Sequence, residues 1–462
     1  MPSINDMTVG SPTRDIIKFA VPLVGGYILQ QMYLIIDAAI VGRFIGVDAL
    51  AAVGASSSIM FLIMGFCNGS CAGFAIPVAQ EFGAKDYSKM RAYVANALRI
   101  VAVIAAVITI VTAIFCERIL KIVNTPEDIF RDAYIFLLLN FLAIPFTMAY
   151  NMLSGFIRSL GDSKQPFYFL IAASVFNIIL DFILIIGLGM GVEGAGIATM
   201  TAQAFASLLC WLYIRKHLRL LIPQGEERAY DDKKTGRLLM NGIPMGMQFS
   251  ITAVGVIMLQ SANNALGTVY VASFTAAMRV KYLFTCVFEN IGVAMATYCG
   301  QNIGAKKIER IKLGIWSAVK ITAVYFALTM LVIYPFADEM MLLFVEKSES
   351  GIISNAAMYM RISSYFFPAL GLLTILRYSL QGLGYSNLSV LSGVMEMIAR
   401  CGVSLWMVPT FMFLGVCYGD PTAWVAADIF LVPAVYLVYK RLRRKQIEAD
   451  TILAKTEPTS PA

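Results

Sequence analysis

Two carboxylates stand inside stretches of sequence that otherwise read as apolar helix. In "ILQQMYLIIDAAIVG", residues 28–42, Gln30, Tyr33 and Asp37 fall at i, i+3 and i+7, on one helical face. In "SVFNIILDFILIIG", residues 174–187, Asn177 and Asp181 are one turn apart. In "GAGIATMTAQ", residues 194–203, Thr199 and Gln203 repeat that spacing. An Asp at the centre of a spanning helix costs roughly 2.5–3.5 kcal/mol on insertion scales, so an acid kept there is functional by default. Two chemistries suit such a set. Carboxylate, amide and hydroxyl oxygens are the hard ligands that a desolvated alkali cation takes. Alternatively, paired carboxylates held away from water can bind and release a proton. Polar contacts that merely join helices average about 0.6 kcal/mol and could be built from Ser, Thr or Asn alone. Two Asp in one half of the chain therefore favour ion chemistry.

Only a membrane fold can position these residues. The 462-residue chain is 59% hydrophobic and 14% charged, whereas soluble domains carry about 25% charged residues. Apolar runs of about 20 residues recur, long enough to cross a hydrocarbon core of about 30 Å. Ten-residue strands of alternating polarity are absent, which favours helices over a barrel. Twelve spans are predicted, near 16–42, 50–79, 92–116, 132–156, 166–188, 194–215, 239–264, 270–300, 311–336, 354–380, 387–412 and 421–440. Lys and Arg concentrate in alternate connections, among them Lys85, Lys89 and Arg91, the run from Arg215 to Arg237, and Lys306, Lys307 and Arg310. That asymmetry places both termini in the cytoplasm of a multi-pass cell-membrane protein. It also makes the net charge of +7 a topology signal, not a nucleic-acid one. The polar N-terminal stretch has no small-residue cleavage site, so insertion through the chain's own spans is expected. The eight cysteines lie in or beside apolar spans and read as packing residues. No Walker lysine, metal spacing or nucleophile elbow occurs. The chain is therefore not expected to be an enzyme or to need a cofactor, and an ion gradient replaces ATP as its energy source.

The chain repeats itself. "VAQEFGAKDYSKMR" (78–91) aligns with "YCGQNIGAKKIERI" (298–311), Pro22 falls on Pro244, and "RSLGDS" (158–163) on "QGLGYS" (381–386), at offsets of 221–223 residues. Six spans per half make these parallel repeats about an axis along the membrane normal. The predicted fold is all-α: twelve transmembrane helices in two six-helix lobes related by pseudo-two-fold symmetry. Residues 1–215 form the first lobe, 216–238 a cytoplasmic linker, 239–445 the second lobe and 446–462 a disordered tail. Two lobes facing across a cleft suit alternating access.

The second half does not copy the polar residues of the first. At the repeat offset Asn177 falls on Arg400 and Asp181 on Ser404, and other charges appear: Arg279, Lys281, Glu289, Arg377, Glu396 and Arg400. Glu396 and Arg400, at i and i+4, are expected to pair. Glu289 is open to three roles, a second proton site, a cation-attracting wall of the pocket, or pairing with Lys281 or Arg400; pairing is the expectation. The 25 Met and 12% aromatic residues suit a plastic apolar cavity for flat organic cations.

The stretches "VPLVGGYILQQMYLIIDAAIVGRFIGVDALAAVG" (21–54), "SGFIRSLGDSKQP" (154–166), "SVFNIILDFILI" (174–185), "GVEGAGIAT" (191–199) and "GQNIGA" (300–305) together resemble the multidrug and toxic compound extrusion (MATE) transporters, in particular the DinF-like branch. The resemblance implies efflux of organic cations or drugs, coupled to inward H+ or Na+, by a protein expected to be a monomer in the lipid bilayer. It carries the cation-coupling role, including a possible Na+ site, onto Asp37, Asn177, Asp181 and Thr199. From the residues themselves, Gln30, Tyr33, Gln203 and Glu289 are expected as possible pocket-lining residues, Glu289 being a departure from the family pattern. The NorM-like branch places further acids in its seventh and tenth spans, where this sequence has none. The runner-up reading is a lipid-linked oligosaccharide or lipid flippase of a related fold, for which Arg279, Lys281, Arg377 and Arg400 would line a cationic cavity. A gated channel ranks last, because the polar residues suggest a closed pocket, not a continuous path.

Overall fold

The computed structural model describes residues 5–123 and 125–456, and among them every regular element is a helix. The first half holds α1 (Pro12–Ile40), α2 (Val47–Gly83), α3 (Tyr87–Ile122), α4 (Glu127–Leu142), α5 (Ile144–Ser159), α6 (Lys164–Asp181) and α7 (Val192–His217). The second holds α8 (Asp232–Asn264), α9 (Thr268–Gly304), α10 (Ile308–Met341), α11 (Ser350–Tyr365), α12 (Phe367–Gly382), α13 (Ser386–Gly402), the short α14 (Val408–Phe411) and α15 (Phe413–Cys417), and α16 (Gly419–Thr456). Ten spans are long and apolar enough to cross a membrane, and two bent pairs bring the number to the expected twelve. Those pairs are α4 with α5, bent by 41°, and α11 with α12, bent by 53°. Proline enters each second helix at its first turn, as Pro145 and Pro368. Its ring bars the preceding residue from continuing the earlier helix while suiting the start of a new one.

The repeat is visible in the backbone itself. Lys85 and Lys306 are left-handed with φ of 59° and 57°, and Gly161 and Gly384 with φ of 81° and 85°. A lysine at positive φ is uncommon, so its recurrence in the same Gly-Ala-Lys turn marks one turn built twice. Helix α16 continues to Thr456, past the expected start of a disordered tail at 446. The last six residues of that tail lie outside the described residues.

Packing divides the chain into two units. The first contains Ile17–Phe82 and Asp86–Val254; the second contains Met7–Ile16, Gly83–Lys85 and the chain from Gly255 onward. Helix α8 thus gives its first two-thirds to the first unit, for a steric reason. Glycines at four-residue spacing line α2 (Gly65, Gly69, Gly73) and α8 (Gly242, Gly246). A Cβ on Gly73 would lie 2.5 Å from the Gly242 Cα, and one on Gly69 2.7 Å from the Met245 carbonyl. Such small-residue stripes let helix backbones approach closely, which is how helices associate where lipid removes any hydrophobic drive. The rest of the first unit's core is apolar, with Phe74, Phe141, Met148, Met152 and Phe156 buried.

The linker is docked within the first unit. Its turn Gly225–Arg228 is closed by a reciprocal cap between Gln224 and Glu227. Glu227 also accepts from Arg91 Nε and Nη2, both at 2.6 Å, and from Ser88 Oγ at 2.9 Å. The Arg91 guanidinium holds the Glu227 carboxyl down at about 2.

Two tests follow from this packing. Gly73→Ala should lower the unfolding temperature in detergent, the cost of overpacking being about 1–3 kcal/mol. Gly236→Ala, where a Cβ meets nothing within 4 Å, should not. The lowered Glu227 value makes the docking contribution complete above its ordinary 4.5 and lost as pH falls from there toward about 2. Amide exchange of residues 224–231 should therefore stay slow at pH 5 in the wild type and be fast in Glu227→Gln.

Candidate ion-coupling site

The polar faces singled out in the first half lie on α1, α6 and α7, all in the first unit. Two of these helices change geometry beside the acids. Helix α1 passes into a π-helical turn at Val41–Ile45, one turn beyond Asp37, and α6 does so at Phe182–Gly187, immediately after Asp181. Such turns are rare and collect at functional sites, because they loosen the regular hydrogen-bond ladder and re-aim side chains.

Burial is near complete at the centre. Asp181 is 0% exposed, Asn177 2% and Asp37 9%. Tyr33, Thr199 and Gln203 are half-buried, and Gln30 is exposed one turn before Tyr33. The Asp37 and Asp181 carboxyl groups lie within interaction range of each other, and the Tyr33 hydroxyl is hydrogen-bonded to Thr199. Among the described residues, neither oxygen of Asp181, nor Oδ1 of Asp37, nor Oε1 of Gln203 has a hydrogen-bond partner, and both amide atoms of Asn177 lack one as well. Ionised carboxylates only accept hydrogen bonds, so two of them in contact repel unless a proton or a cation stands between them. The arrangement is chemically suited to a small positive charge. Among the described residues no group of three His, Cys, Asp or Glu could hold a metal ion. Any Na+ here would depend on the mixed set of two carboxylates, an amide and a hydroxyl.

The second unit treats its buried charge in the opposite way. Lys281 on α9 is ion-paired to Asp420 at the start of α16, and Tyr359 on α11 donates to the same carboxylate at 2.8 Å. Arg400 donates to Asp420 at 3.0 Å and to Glu396 at 3.3 Å, which is the pairing expected within α13. Glu396 also takes Arg377 from α12, whose Nε donates to Ser392 at 3.0 Å. Arg279 is exposed, with its guanidinium over the Phe344 ring. The expectation for Glu289 is corrected: it pairs with neither Lys281 nor Arg400, because Asp420 takes both. Glu289 instead accepts from the Tyr378 hydroxyl at 3.3 Å.

Asp420 and Asp428 were not singled out in the sequence, although both are buried. Asp420 stands at a span boundary, where an acid draws no notice. Asp428 in "WVAADIFLVP" lies inside an apolar run, the signal that marked Asp37 and Asp181, and could have been found by it. At the position matching Asn177, the second unit has placed a cation that its own carboxylates neutralise.

Comparison with known proteins agrees with this architecture. The MatE family model matches residues 22–183 and again 244–406, so each half is matched once at the offset of the internal repeat. The Bacillus subtilis protein named Probable multidrug resistance protein YoeA is 28% identical, over 76% of this chain and 78% of its own. The Multidrug export protein MepA of Staphylococcus haemolyticus is 20% identical, over 95% and 96%. A crystal structure of MATE in the bent conformation superposes with a TM-score of 0.89 at 20% identity, covering 97% of this chain and 99% of that one. With helices as the only regular elements among its described residues, ten to twelve of them able to span a membrane, and with both halves matched by one family model, the chain is a member of the MatE family: a multi-pass membrane transporter of the multidrug and toxic compound extrusion type, not an enzyme.

Proposed function

We propose that this protein is a secondary antiporter of the cell membrane that exports organic cations or drugs by alternating access, driven by H+ or Na+ moving inward. The observation that carries the proposal is the buried Asp37–Asp181 pair with no protein donor between the two carboxyls. An ion entering that site relieves their repulsion and draws α1 and α6 together, and its departure separates them. A ligand shifts a conformational equilibrium only through such a difference in its interaction with the two states. Asp37, Asn177, Asp181 and Thr199 carry the coupling, with Gln30, Tyr33 and Gln203 of the same unit around them; Glu289 belongs to the second unit, where it accepts from Tyr378. Membership of the MatE family and the multidrug names of its relatives support the choice of substrate class. The acid pair in the first half, together with acid-free apolar stretches of α8 and α12, fits the DinF-like branch. The concentration of Lys and Arg in alternate connections supports cytoplasmic termini, and a single chain holding both halves is consistent with a monomer.

The flippase alternative asks for a cationic cavity to hold pyrophosphate. Lys281, Arg377 and Arg400 are each neutralised inside the second unit. Only Arg279 is left exposed, which weighs against that reading.

Inside-out vesicles test the proposal. Uptake of a fluorescent organic cation under an imposed proton or sodium gradient should fall to background in Asp181→Asn and in Asp37→Asn, while binding of the dye to purified protein persists. The gradient that drives wild-type uptake identifies the ion. Transport by Asp181→Asn at the wild-type rate would refute the coupling role.

A further inference from the structure

A second buried acid–base system lies wholly within the second unit. Its charges alternate along a ladder, Lys281, Asp420, Arg400, Glu396 and Arg377, in which each neighbour is ion-paired with the next. Two more carboxylates interact with the Arg377 end. Glu289 and Asp428 both lie in the field of Arg377 and of Glu396. Asp428 is 9% exposed, and its Oδ1 has no hydrogen-bond partner among the described residues.

The charges of this system do not cancel. Three cations, Lys281, Arg377 and Arg400, face four carboxylates, Glu289, Glu396, Asp420 and Asp428. The elements around Asp428 supply no further cation. Helix α12 contributes Arg377, α13 contributes Glu396 and Arg400, and α9 contributes Glu289. Lys320 of α10 is exposed, and α15 has no charged residue. An uncompensated charge in a low-dielectric interior is among the most costly features a protein can carry, so one carboxylate has to be neutralised. An alkali cation is a poor candidate, because the Arg377 guanidinium already holds the centre of the cluster and would repel it. A proton meets no such repulsion, and a protonated carboxyl can donate to a neighbouring oxygen. Glu289 already accepts a hydrogen bond from the Tyr378 hydroxyl, whereas Asp428 Oδ1 has no partner among the described residues.

We propose that Asp428 is a second proton-binding site, separate from the Asp37–Asp181 pair, where the proton neutralises the one carboxylate the ladder cannot balance. Loss of that proton leaves a net negative charge where α12, α13 and α16 meet. The site does not depend on the antiport reading and can be tested without transport.

The test uses the full-length protein in detergent, in an Asp37→Asn, Asp181→Asn background that removes both first-unit carboxyls from the signal. Infrared difference spectra between mildly acidic and alkaline pH should show one buried protonated carboxyl by its C=O stretch, lost in Asp428→Asn and kept in Glu289→Gln. A band that persists in Asp428→Asn, or that sodium removes at constant pH, would overturn the proposal. Thermal unfolding provides the second readout. Stability should fall as pH rises and the buried carboxyl gives up its proton, whereas Asp428→Asn, permanently neutral, should lose no stability over the same range. If Asp428→Asn follows the wild-type pH dependence, or is less stable at every pH, the carboxylate serves as an anion and the assignment fails.

Discussion

Charge that water cannot reach must be balanced within the protein, and this molecule is arranged around that constraint. Desolvating an ion costs several kcal/mol even after the protein relaxes, and only close, well-oriented partners recover it. The second unit pairs most of its buried charge in a ladder whose members share partners, so that Asp420 serves both Lys281 and Arg400, and Glu396 both Arg400 and Arg377, with Glu289 and Asp428 outside the ion pairs among the described residues. The first unit leaves the constraint unmet at Asp37 and Asp181.

The duplication kept the residues that shape the backbone and changed those that carry charge. The left-handed lysines at 85 and 306, the left-handed glycines at 161 and 384, and the prolines that open α5 and α12 recur at nearly one offset. These positions answer to steric rules that hold in any copy of the fold. Asn177 and Arg400 also stand at matching positions, as do Asp181 and Ser404, yet their chemistry has parted. Where the first half has an acid pair, the second half has ion pairs. The α2–α8 glycine stripes have a related steric role, since only hydrogen side chains let those helices meet at that distance.

In the antiport reading proposed above, the coupling is local: a positive charge between Asp37 and Asp181 would change the balance of attraction and repulsion between α1 and α6, and a π-helical turn lies beside each acid.

Much of this was legible in the sequence for definite reasons. Spans are dictated by the thickness of the bilayer, so apolar runs predict them directly, and the two bent spans still counted as one each because the apolar run continues through the break. The acids at 37 and 181 stood out because an ionisable residue in such a run is rare, and the pairing of Glu396 with Arg400 followed from helical spacing alone. Partners on different helices were another matter. The role of Asp420 and the isolation of Asp428 depend on how α9, α12, α13 and α16 approach one another. So does the freeing of Glu289 from Lys281 and Arg400. The helical period sets which residues share a face, but only tertiary packing decides which faces meet, and buried charge is balanced between faces.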